Sequence, residues 1–536
     1  MPLICTSCAI RIARLRLTRP CGRPYSTDLG PRPPRMPKPN VDIKHIRQNP
    51  GLYELNCIQR NYPSLSRGPW QLLELSNQLH ELQNGLLSFR KELNELDRTI
   101  KRLASQKREL DASIVENWAA ASTTDGNSRN ITLGTLQKDE ALAISSKRTI
   151  QSMVEERQVL EKEMQAKISA LALEQPNLTS TQTPIGDEPE TIEEIGEVTA
   201  THAISHEEIG TSLGIFDREA AASLSGWGFY YLIGAGALLE QALVQHAQSI
   251  ARAAGFVPVI PPSLVYNYAA WACGFQPRDE GGNKQVYLLE EEDPEDGHVK
   301  PQLALTGTSE IPLAGMYMDH KFRPEDLPLK RVGVSRCYRA EAGSRGKDTK
   351  GLYRVHEFTK VELFAWTAPD NLQAGPGSSE QEIGANLNRF SPTSTLSPSE
   401  EMFNSMLSIQ RAILSPLNIP LRILNQPSND LGASATIKYD IEGYFPSRTH
   451  APWGELSSLS NCTDYQTRRL STRMHVPGQQ KGLAFPYTLN GTALAVPRVL
   501  AALLENNWDE EKKLVRIPQC LWKYMDGMEI IEKSRN

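Results

Sequence analysis

The chain has 536 residues, 39% of them hydrophobic and 23% charged, which is typical of a globular protein of about two to four domains. No apolar run approaches the roughly 18–20 residues of a membrane helix, so we expect no membrane partner. The net charge of −5 gives no global signature of nucleic-acid binding, although a local basic patch would be enough.

The N-terminus differs from the rest of the chain. Residues 1–27 contain five arginines and no acidic residue, which is typical of a mitochondrial transit peptide, although a basic tail is the simpler alternative. We therefore predict import into the mitochondrial matrix. Residues 28–40 are rich in proline and predict an extended linker.

A heptad pattern dominates the N-terminal domain, which we assign to residues 41–177. Two heptad-patterned segments separated by a polar turn predict an antiparallel helical hairpin over about 70–173, with each helix about 60–70 Å long. Such a hairpin is either a dimerisation rod or spacer, or an arm that contacts a large partner. The first predicted seam is Leu72, Leu75, Leu79, Leu82, Leu86, Phe89, Leu93, Leu96, Ile100 and Leu103; the second is Leu142, Ile150, Met153, Val154, Leu160, Met164, Ile168 and Leu171.

The remainder of the chain predicts one large domain after a junction. Residues 178–204 are acidic and turn-rich, as expected of a domain boundary. Over 205–536, amphipathic helices alternate with short β-like runs, which indicates an α+β domain. Residues 368–400 interrupt it with Pro, Ser, Gly and Asn, which predicts a disordered surface insertion.

Four stretches of this domain combine β-like or helical patterns with charge. They are LTGTSEIPL (305–313), RCYRAEAGSRGKDTKGLYRVHEFTKVE (336–362), WGELSSLSNCTDYQTRR (453–469) and LNGTALAVPRVLAALLEN (489–506). A plain β-hairpin would alternate apolar and polar residues, but the second stretch carries Arg339 and Glu362 within its strands. Such charges indicate a functional site.

Together with GFVPVIPPSLV (255–265), these stretches resemble the class II aminoacyl-tRNA synthetases, and among them the seryl-tRNA synthetases. The resemblance implies an antiparallel sheet flanked by helices, with an N-terminal antiparallel coiled-coil arm. It also implies a homodimer formed through the first conserved motif, to which Pro262 belongs. Pro497 stands where the family usually has Gly, and a proline fits there only near a helix start.

The chemistry of amino-acid activation needs no general base, because the attacking carboxylate is already an anion. The enzyme must bring two anions together and stabilise charge that builds on phosphorus, for which the planar fork of an arginine is suited. By resemblance Arg339 has this catalytic role, and Arg345 and Lys347 lie in a loop that reaches the phosphates and the tRNA end. The ATP-binding residues implied by the resemblance are Arg339, Ala340, Glu341, Phe358, Glu455, Leu456, Ser457, Ser458 and Arg498.

The resemblance also assigns the amino-acid and metal sites. Glu455 and Ser458 would bind Mg²⁺, although the sequence GELSS alone could be an ordinary turn. Glu362 and Thr492 would read the serine hydroxyl, although Glu362 alone could form a surface ion pair. The serine-binding residues implied by the resemblance are Thr308, Ser309, Glu310, Arg339, Glu362 and Thr492.

These assignments predict an ATP- and Mg²⁺-dependent enzyme that joins L-serine to tRNA(Ser). The arm would recognise the tRNA by shape, since double-helical RNA exposes few readable base edges. The alternatives are a catalytically inactive, synthetase-like RNA-binding scaffold dimer or, less favoured, an enzyme that loads serine onto a carrier protein. Side chains on the first helix that could contact phosphates, or could be ordinary solvated flanks, are Arg90, Lys91, Arg98, Lys101 and Arg102.

Overall fold

The structure is a computed structural model that describes residues 32–119, 126–199, 202–275, 285–289, 300–341, 351–370, 396–479 and 481–533. The predicted transit peptide, Arg345, Lys347 and residues 371–395 of the predicted insertion lie outside the described residues.

The helices vary from single turns to two very long ones. They are α1 (Ile43–Gln48), α2 (Pro50–Gln59), α3 (Gly68–Ala119), α4 (Gly126–Glu174), α5 (His206–Leu213), α6 (Glu219–Ser225), α7 (Ala235–Ala253), α8 (Asn267–Ala272), α9 (Glu310–Gly315), α10 (Pro398–Leu414), α11 (Tyr465–Leu470), α12 (Val496–Asn506) and α13 (Gln519–Trp522).

The strands belong to one large sheet and several small ones. They are β1 (Glu190–Ile195), β2 (Phe216–Asp217), β3 (Tyr231–Leu232), β4 (Val257–Val259), β5 (Leu264–Tyr266), β6 (Leu303–Leu305), β7 (Lys321–Phe322), β8 (Leu329–Tyr338), β9 (Glu357–Thr367), β10 (Leu421–Asn425), β11 (Ile437–Tyr444), β12 (Trp453–Thr463), β13 (Arg473–His475), β14 (Leu483–Ala484), β15 (Tyr487–Ala495), β16 (Trp508–Asp509), β17 (Leu514–Arg516) and β18 (Ile530–Ile531).

Residues 41–55 and 65–175 form one compact unit, which contains α3 and α4. The side chain of Gln83 donates to Glu161 at 2.8 Å, and Lys107 lies 3.7 Å from Glu140. Since the partner number falls as the residue number rises, the two helices are antiparallel, which confirms the predicted hairpin. Their 52 and 49 residues correspond to lengths of about 75 Å.

The hairpin seam matches the prediction on α3 but not throughout α4. All ten predicted α3 residues are buried or half-buried, and Leu86 packs against Ile150 and Val154. The prediction was wrong for three α4 residues, which are exposed. The prediction placed the larger Leu142 in the seam, but its smaller neighbour Ala143 is the buried residue. The predicted seam is therefore shifted by one position there. The three exposed residues are Leu142, Met153 and Leu160.

The second unit contains residues 56–64 and the chain from 176 onward, and residues 32–40 also belong to it. Residues 56–64 fall inside the predicted N-terminal domain, yet the fully buried guanidinium of Arg60 donates to the carbonyls of Asn177 and Gly432. Asn40, from the predicted linker, donates its N–H to the Arg468 carbonyl at 2.8 Å. Folding therefore draws short pieces of the N-terminal region into this unit.

An eight-stranded sheet with the order β1-β10-β11-β12-β15-β9-β8-β4 organises the second unit. Every neighbouring pair is antiparallel except β4 and β8, which are parallel. The predicted antiparallel sheet flanked by helices is confirmed. Its edge strand β1 lies within the predicted junction 178–204.

The two faces of the sheet have different roles, and β9 illustrates the division. Val361, Leu363 and Ala365 point into the main hydrophobic core, to which α7, α10 and α12 also contribute. Because successive side chains of a strand alternate, the residues between them face the opposite side.

Within the described residues, no helix is long and apolar enough to span a membrane.

Candidate active site

An open cleft of about 710 Å³ lies on the face of the sheet opposite this core. It is lined by side chains of β9, β12 and β15, by residues that follow β8 or precede β9, and by residues at or just before the starts of α9 and α12. The strands therefore bring together four stretches that are far apart in sequence. The predicted residues that line the cleft are Thr308, Glu310, Arg339, Glu341, Phe358, Glu362, Glu455, Leu456, Ser458, Thr492 and Arg498.

Strand β9 supplies alternate residues to the cleft. Phe358, Lys360 and Glu362 all line it, and the Lys360 Nζ lies 2.5 Å from Glu362 Oε2. Both charged side chains are buried, so each neutralises the other where water is scarce. Lys360 was missed in the sequence, although the two-residue period between Phe358 and Glu362 could have identified it.

Two β-bulges explain why residues three apart share the cleft. In β12, Glu455 pairs with Glu442 and Ser457 with Ile441, so Leu456 is an extra residue without a partner on β11. This extra residue reverses the alternation and turns both Glu455 and Ser458 towards the cleft. Strand β15 has a similar irregularity between residues 492 and 494. Thr492 and Ala495, again three apart, both line the cleft.

Arg339 lies just beyond the end of β8, where its backbone is fixed. Its N–H donates to the His356 carbonyl, and the ring of His356 donates from Nδ1 to the Arg339 carbonyl, both at 2.9 Å. The guanidinium lies 5.2 Å from the centre of the Phe358 ring. Among the described residues it forms no ion pair within 4.0 Å, so its charge can face a bound anion.

Glu310 is a buried carboxyl at the start of α9. Gln466 donates from Nε2 to its Oε1 at 2.6 Å, and the Glu310 N–H donates to the Thr308 hydroxyl at 3.2 Å. Burial, together with the charge of Glu362, raises the pKa of Glu310 to about 8. A carboxyl in this condition is stabilised in its ionised form by a cation, such as an ammonium group.

Glu455 and Arg498 both line the cleft and contact each other. Their side chains form an ion pair of 3.1 Å, and α12 begins at Val496, so Pro497 occupies the first turn as a proline there requires. Burial alone would raise the pKa of Glu455, but Arg498 and Lys438 outweigh it and lower the pKa to about 2. Glu455 is therefore an anion at neutral pH.

Tyr353 and Arg354 are cleft residues that the sequence did not reveal. The guanidinium of Arg498 lies 4.8 Å from the centre of the Tyr353 ring, and its Nε donates to the Tyr353 carbonyl at 3.2 Å. Arg354 lies 3.6 Å from Glu341. Asn490 also lines the cleft and went unpredicted, although it precedes Thr492 by one period of the strand.

Some predicted site residues have side chains that do not reach the cleft. The Ser309 hydroxyl donates to the Ser335 hydroxyl at 2.7 Å, which ties the start of α9 to β8. Ser457 donates to the Thr492 carbonyl instead of facing a ligand. Ala340 can offer only its backbone, which donates to the Gln285 carbonyl. Pro262 is exposed, beside β5 and away from the cleft lining.

The arrangement suits a reaction between two anions. Within the described residues, Arg339 offers a cation without an ion-pair partner, while Glu310, Glu362 and Thr492 form a small polar pocket beside it. For Mg²⁺, the carboxylate of Glu455 and the hydroxyl of Ser458 are suitable oxygen ligands that face the same space. No group of three His, Cys, Asp or Glu side chains in the described part of the chain forms a closed metal site. A metal here would need further oxygens from its substrate.

Comparisons with known proteins agree on one family. The family model of the tRNA synthetase class II core domain (G, H, P, S and T) matches residues 287–507. The mitochondrial serine–tRNA ligase of Saccharomyces cerevisiae is 34% identical over 504 residues, covering 92% of this chain and 96% of that protein. Its counterpart from Schizosaccharomyces pombe is 36% identical over 495 residues, covering 90% of this chain and 88% of that protein.

A solved structure extends the similarity to three dimensions. The crystal structure of seryl-tRNA synthetase from Pyrococcus horikoshii complexed with ATP matches with a TM-score of 0.65 and 29% identity. The match covers 92% of this chain and 100% of that chain. The similarity therefore includes both the helical hairpin and the sheet that carries the cleft.

Proposed function

The chain belongs to the seryl-tRNA synthetase family, and from this premise we propose that its cleft joins L-serine to the 3′ end of tRNA(Ser) in two steps. Serine is first activated with ATP to seryl-adenylate, with release of pyrophosphate, and the seryl group then passes to the tRNA. The observation that supports this most directly is Arg339, which has no ion-pair partner among the described residues, beside the polar pocket of Glu310, Glu362 and Thr492. The inactive scaffold has no support.

Arg339 would hold the serine carboxylate against the α-phosphate of ATP. Its guanidinium can donate to both anions at once, and it offsets the charge that builds on the phosphate as the new bond forms. The bond between phosphate and pyrophosphate breaks as the carboxylate oxygen attacks. The two hydrogen bonds between Arg339 and His356 fix the backbone from which this side chain extends.

Serine would be identified by its ammonium and its hydroxyl. The carboxylate of Glu310 and the hydroxyl of Thr308 would take the ammonium, and Glu362 with Thr492 would bond the hydroxyl. An amino acid without a hydroxyl would leave buried polar groups unpaired, and this is the basis for rejecting alanine and glycine. The ion pair with Lys360 holds the Glu362 side chain in place.

ATP would lie over Phe358, Tyr353 and the guanidinium of Arg498, which present flat surfaces suited to adenine. Glu455 and Ser458 would hold Mg²⁺, which neutralises charge on the triphosphate when it is bound. Because Arg498 now contacts Glu455, nucleotide binding would redistribute this ion pair.

The hairpin would bind the tRNA through its phosphates. Five basic residues predicted for this role on α3 are all exposed, namely Arg90, Lys91, Arg98, Lys101 and Arg102. Exposed cations along a long rod match a partner recognised by backbone and shape.

We also infer a homodimer in the mitochondrial matrix. Near the first motif, Val257, Ile260, Leu264 and Tyr266 are exposed, with Ile260 at 94%, and a second copy of the chain would cover them. The matrix location is supported by the Arg-rich residues 1–27 and by the similarity to mitochondrial ligases. Sedimentation of wild type and Ile260→Glu tests the dimer: we expect the variant to be monomeric.

Amino-acid-dependent exchange of pyrophosphate into ATP tests the activity directly. The purified chain should catalyse exchange with serine and Mg²⁺, but not with alanine or glycine. Stimulation by another amino acid and not by serine would refute the assignment. Tight tRNA binding without any exchange would support the inactive scaffold.

A further inference from the structure

A single buried glutamine lies directly behind the cleft. Gln410 on α10 is fully buried in the layer between helices and sheet, where its neighbours Met406 and Ile413 belong to the apolar core. Its Nε2 donates to the Ser458 carbonyl at 2.8 Å and to the Thr492 carbonyl at 3.0 Å. The amide therefore bridges β12 and β15 at two residues whose side chains line the cleft.

This bridge lies where the two strands stop pairing. Their ladder runs from Thr463 opposite Thr488 to Leu459 opposite Gly491, and the next residues along are Ser458 and Thr492. Because the ladder ends there, these two carbonyls lack the partners that a continued ladder would provide. Gln410 supplies the hydrogen bonds from the helix layer instead.

The orientation of the Gln410 amide follows from chemistry. Both contacts are to carbonyl oxygens, which only accept, so the group facing them must be the NH₂. Its Oε1 has no hydrogen-bond partner among the described atoms. A fully buried amide with an unsatisfied oxygen is costly for stability, and such groups call for a functional explanation.

The backbone also makes room for this side chain. A Cβ at Gly491 would lie 3.1 Å from Gln410 Nε2 and 3.0 Å from Leu459 Cδ1, so glycine permits the close approach of α10 to β15. On the cleft side, the hydroxyls of Ser458 and Thr492 lie 3.4 Å apart. One amide group thus fixes the separation of two hydroxyls with different proposed ligands.

We propose that Gln410 is a positioning residue that couples the amino-acid site to the metal site by holding the Thr492 and Ser458 carbonyls together. This inference rests on the proposed function, in which Thr492 bonds the serine hydroxyl and Ser458 the Mg²⁺. Without Gln410, the Ser458 carbonyl loses this donor and the Thr492 carbonyl keeps only the bond from Ser457, so the distance between the two hydroxyls is held less firmly. A 1 Å displacement is enough to impair an activation reaction.

The test compares Gln410→Met with Met406→Leu in the full-length protein. Gln410→Met keeps the length of the side chain but removes both donors, and we expect a KM for serine and a half-saturating Mg²⁺ concentration that each rise at least about tenfold. Met406→Leu, one turn earlier on α10, changes the same core layer without touching either carbonyl and should match wild type. Thermal unfolding checks that both variants fold.

Ser457→Ala affects only one of the two carbonyls that Gln410 binds. The Ser457 hydroxyl donates to the Thr492 carbonyl alone, so this variant should raise the KM for serine and leave the Mg²⁺ dependence unchanged. If Gln410→Met does not fold, Gln410→Glu, whose carboxyl can donate at most one bond to the two carbonyls, should show both defects. Serine binding measured by calorimetry gives a readout independent of turnover.

The outcomes distinguish this inference from the proposed function. Wild-type exchange that responds to serine, with Gln410→Met indistinguishable from wild type in both constants, overturns the positioning role alone. Equal loss in Gln410→Met and Met406→Leu also overturns it, because any change in the core would then have the same effect. Wild type without serine-dependent exchange refutes the proposed function itself.

Discussion

The hairpin and the sheet are specified by the sequence in different ways. The hairpin rests on contacts of one repeated kind, with Leu86 packed against Ile150 and Val154 and polar pairs along the flanks. The cleft instead collects residues between Thr308 and Arg498 from strands that meet only after folding. A periodic rod tolerates single changes locally, whereas the cleft concentrates function in a few atoms.

The largest effect should come from Arg339→Ala. The variant loses the only guanidinium proposed to bridge carboxylate and α-phosphate, so serine-dependent exchange should fall by about 10³-fold or more. Arg339→Lys keeps the charge but not the planar fork and should recover only part of this loss. Exchange rates near wild type in Arg339→Ala would place the reaction elsewhere.

Glu310→Gln should weaken serine binding by about 10²-fold. The change removes the buried carboxylate that is proposed to bind the serine ammonium. It keeps the shape of the side chain at position 310 and leaves the neighbouring Gln466 in place. The KM for ATP should change much less, because Glu310 is assigned to serine only. Calorimetry with serine and with ATP separately measures both, and equal weakening of the two would argue for general disruption.

The raised pKa of Glu310 predicts that serine binds better as pH rises. Below its pKa of about 8, Glu310 in the free enzyme is mostly protonated, while the ammonium favours the ionised form. Binding at pH 7 should therefore release a proton, and affinity should increase by up to about tenfold per pH unit until it levels near pH 8. Calorimetry in buffers of different ionisation enthalpy measures the number of protons released when serine binds. The Glu310→Gln variant should release none.

The smallest effects on catalysis should come from the hairpin seam. Leu86→Ala removes a buried side chain, 2% exposed, and should destabilise the hairpin by about 2–4 kcal/mol. Leu142→Ala, at a position 67% exposed, should change stability by less than about 0.5 kcal/mol. Amide hydrogen exchange within α3 and α4 measures both, and exchange of pyrophosphate should stay at the wild-type rate in each.

Much of the fold was predictable because its signals are local. The α3 heptads specify their buried stripe residue by residue, and the motifs around Arg339 and Arg498 locate the cleft. Errors arose where a local pattern is ambiguous: Leu142 was chosen over the smaller Ala143, and residues 56–64 join the second unit through Arg60.

The parts of the site that went unpredicted depend on tertiary contacts. The bulge at Leu456 appears only when β11 and β12 pair, and without it Glu455 and Ser458 would face opposite sides of the sheet. Tyr353 reaches the cleft through its contact with Arg498, about 145 residues away in the chain. Ser309 shows the reverse case, since its motif suggested a ligand contact but its hydroxyl bonds Ser335.

The central claim is that the sheet performs the activation chemistry and the hairpin serves the tRNA. It is tested most directly by replacing residues 72–172 with a short flexible connector, which is feasible because Gly68 lies against Leu171 and Gln175. Both activities are then measured on one preparation. Serine-dependent exchange should persist while charging of tRNA(Ser) is lost. Retained charging at the wild-type rate, or loss of exchange in a folded protein, would contradict the account.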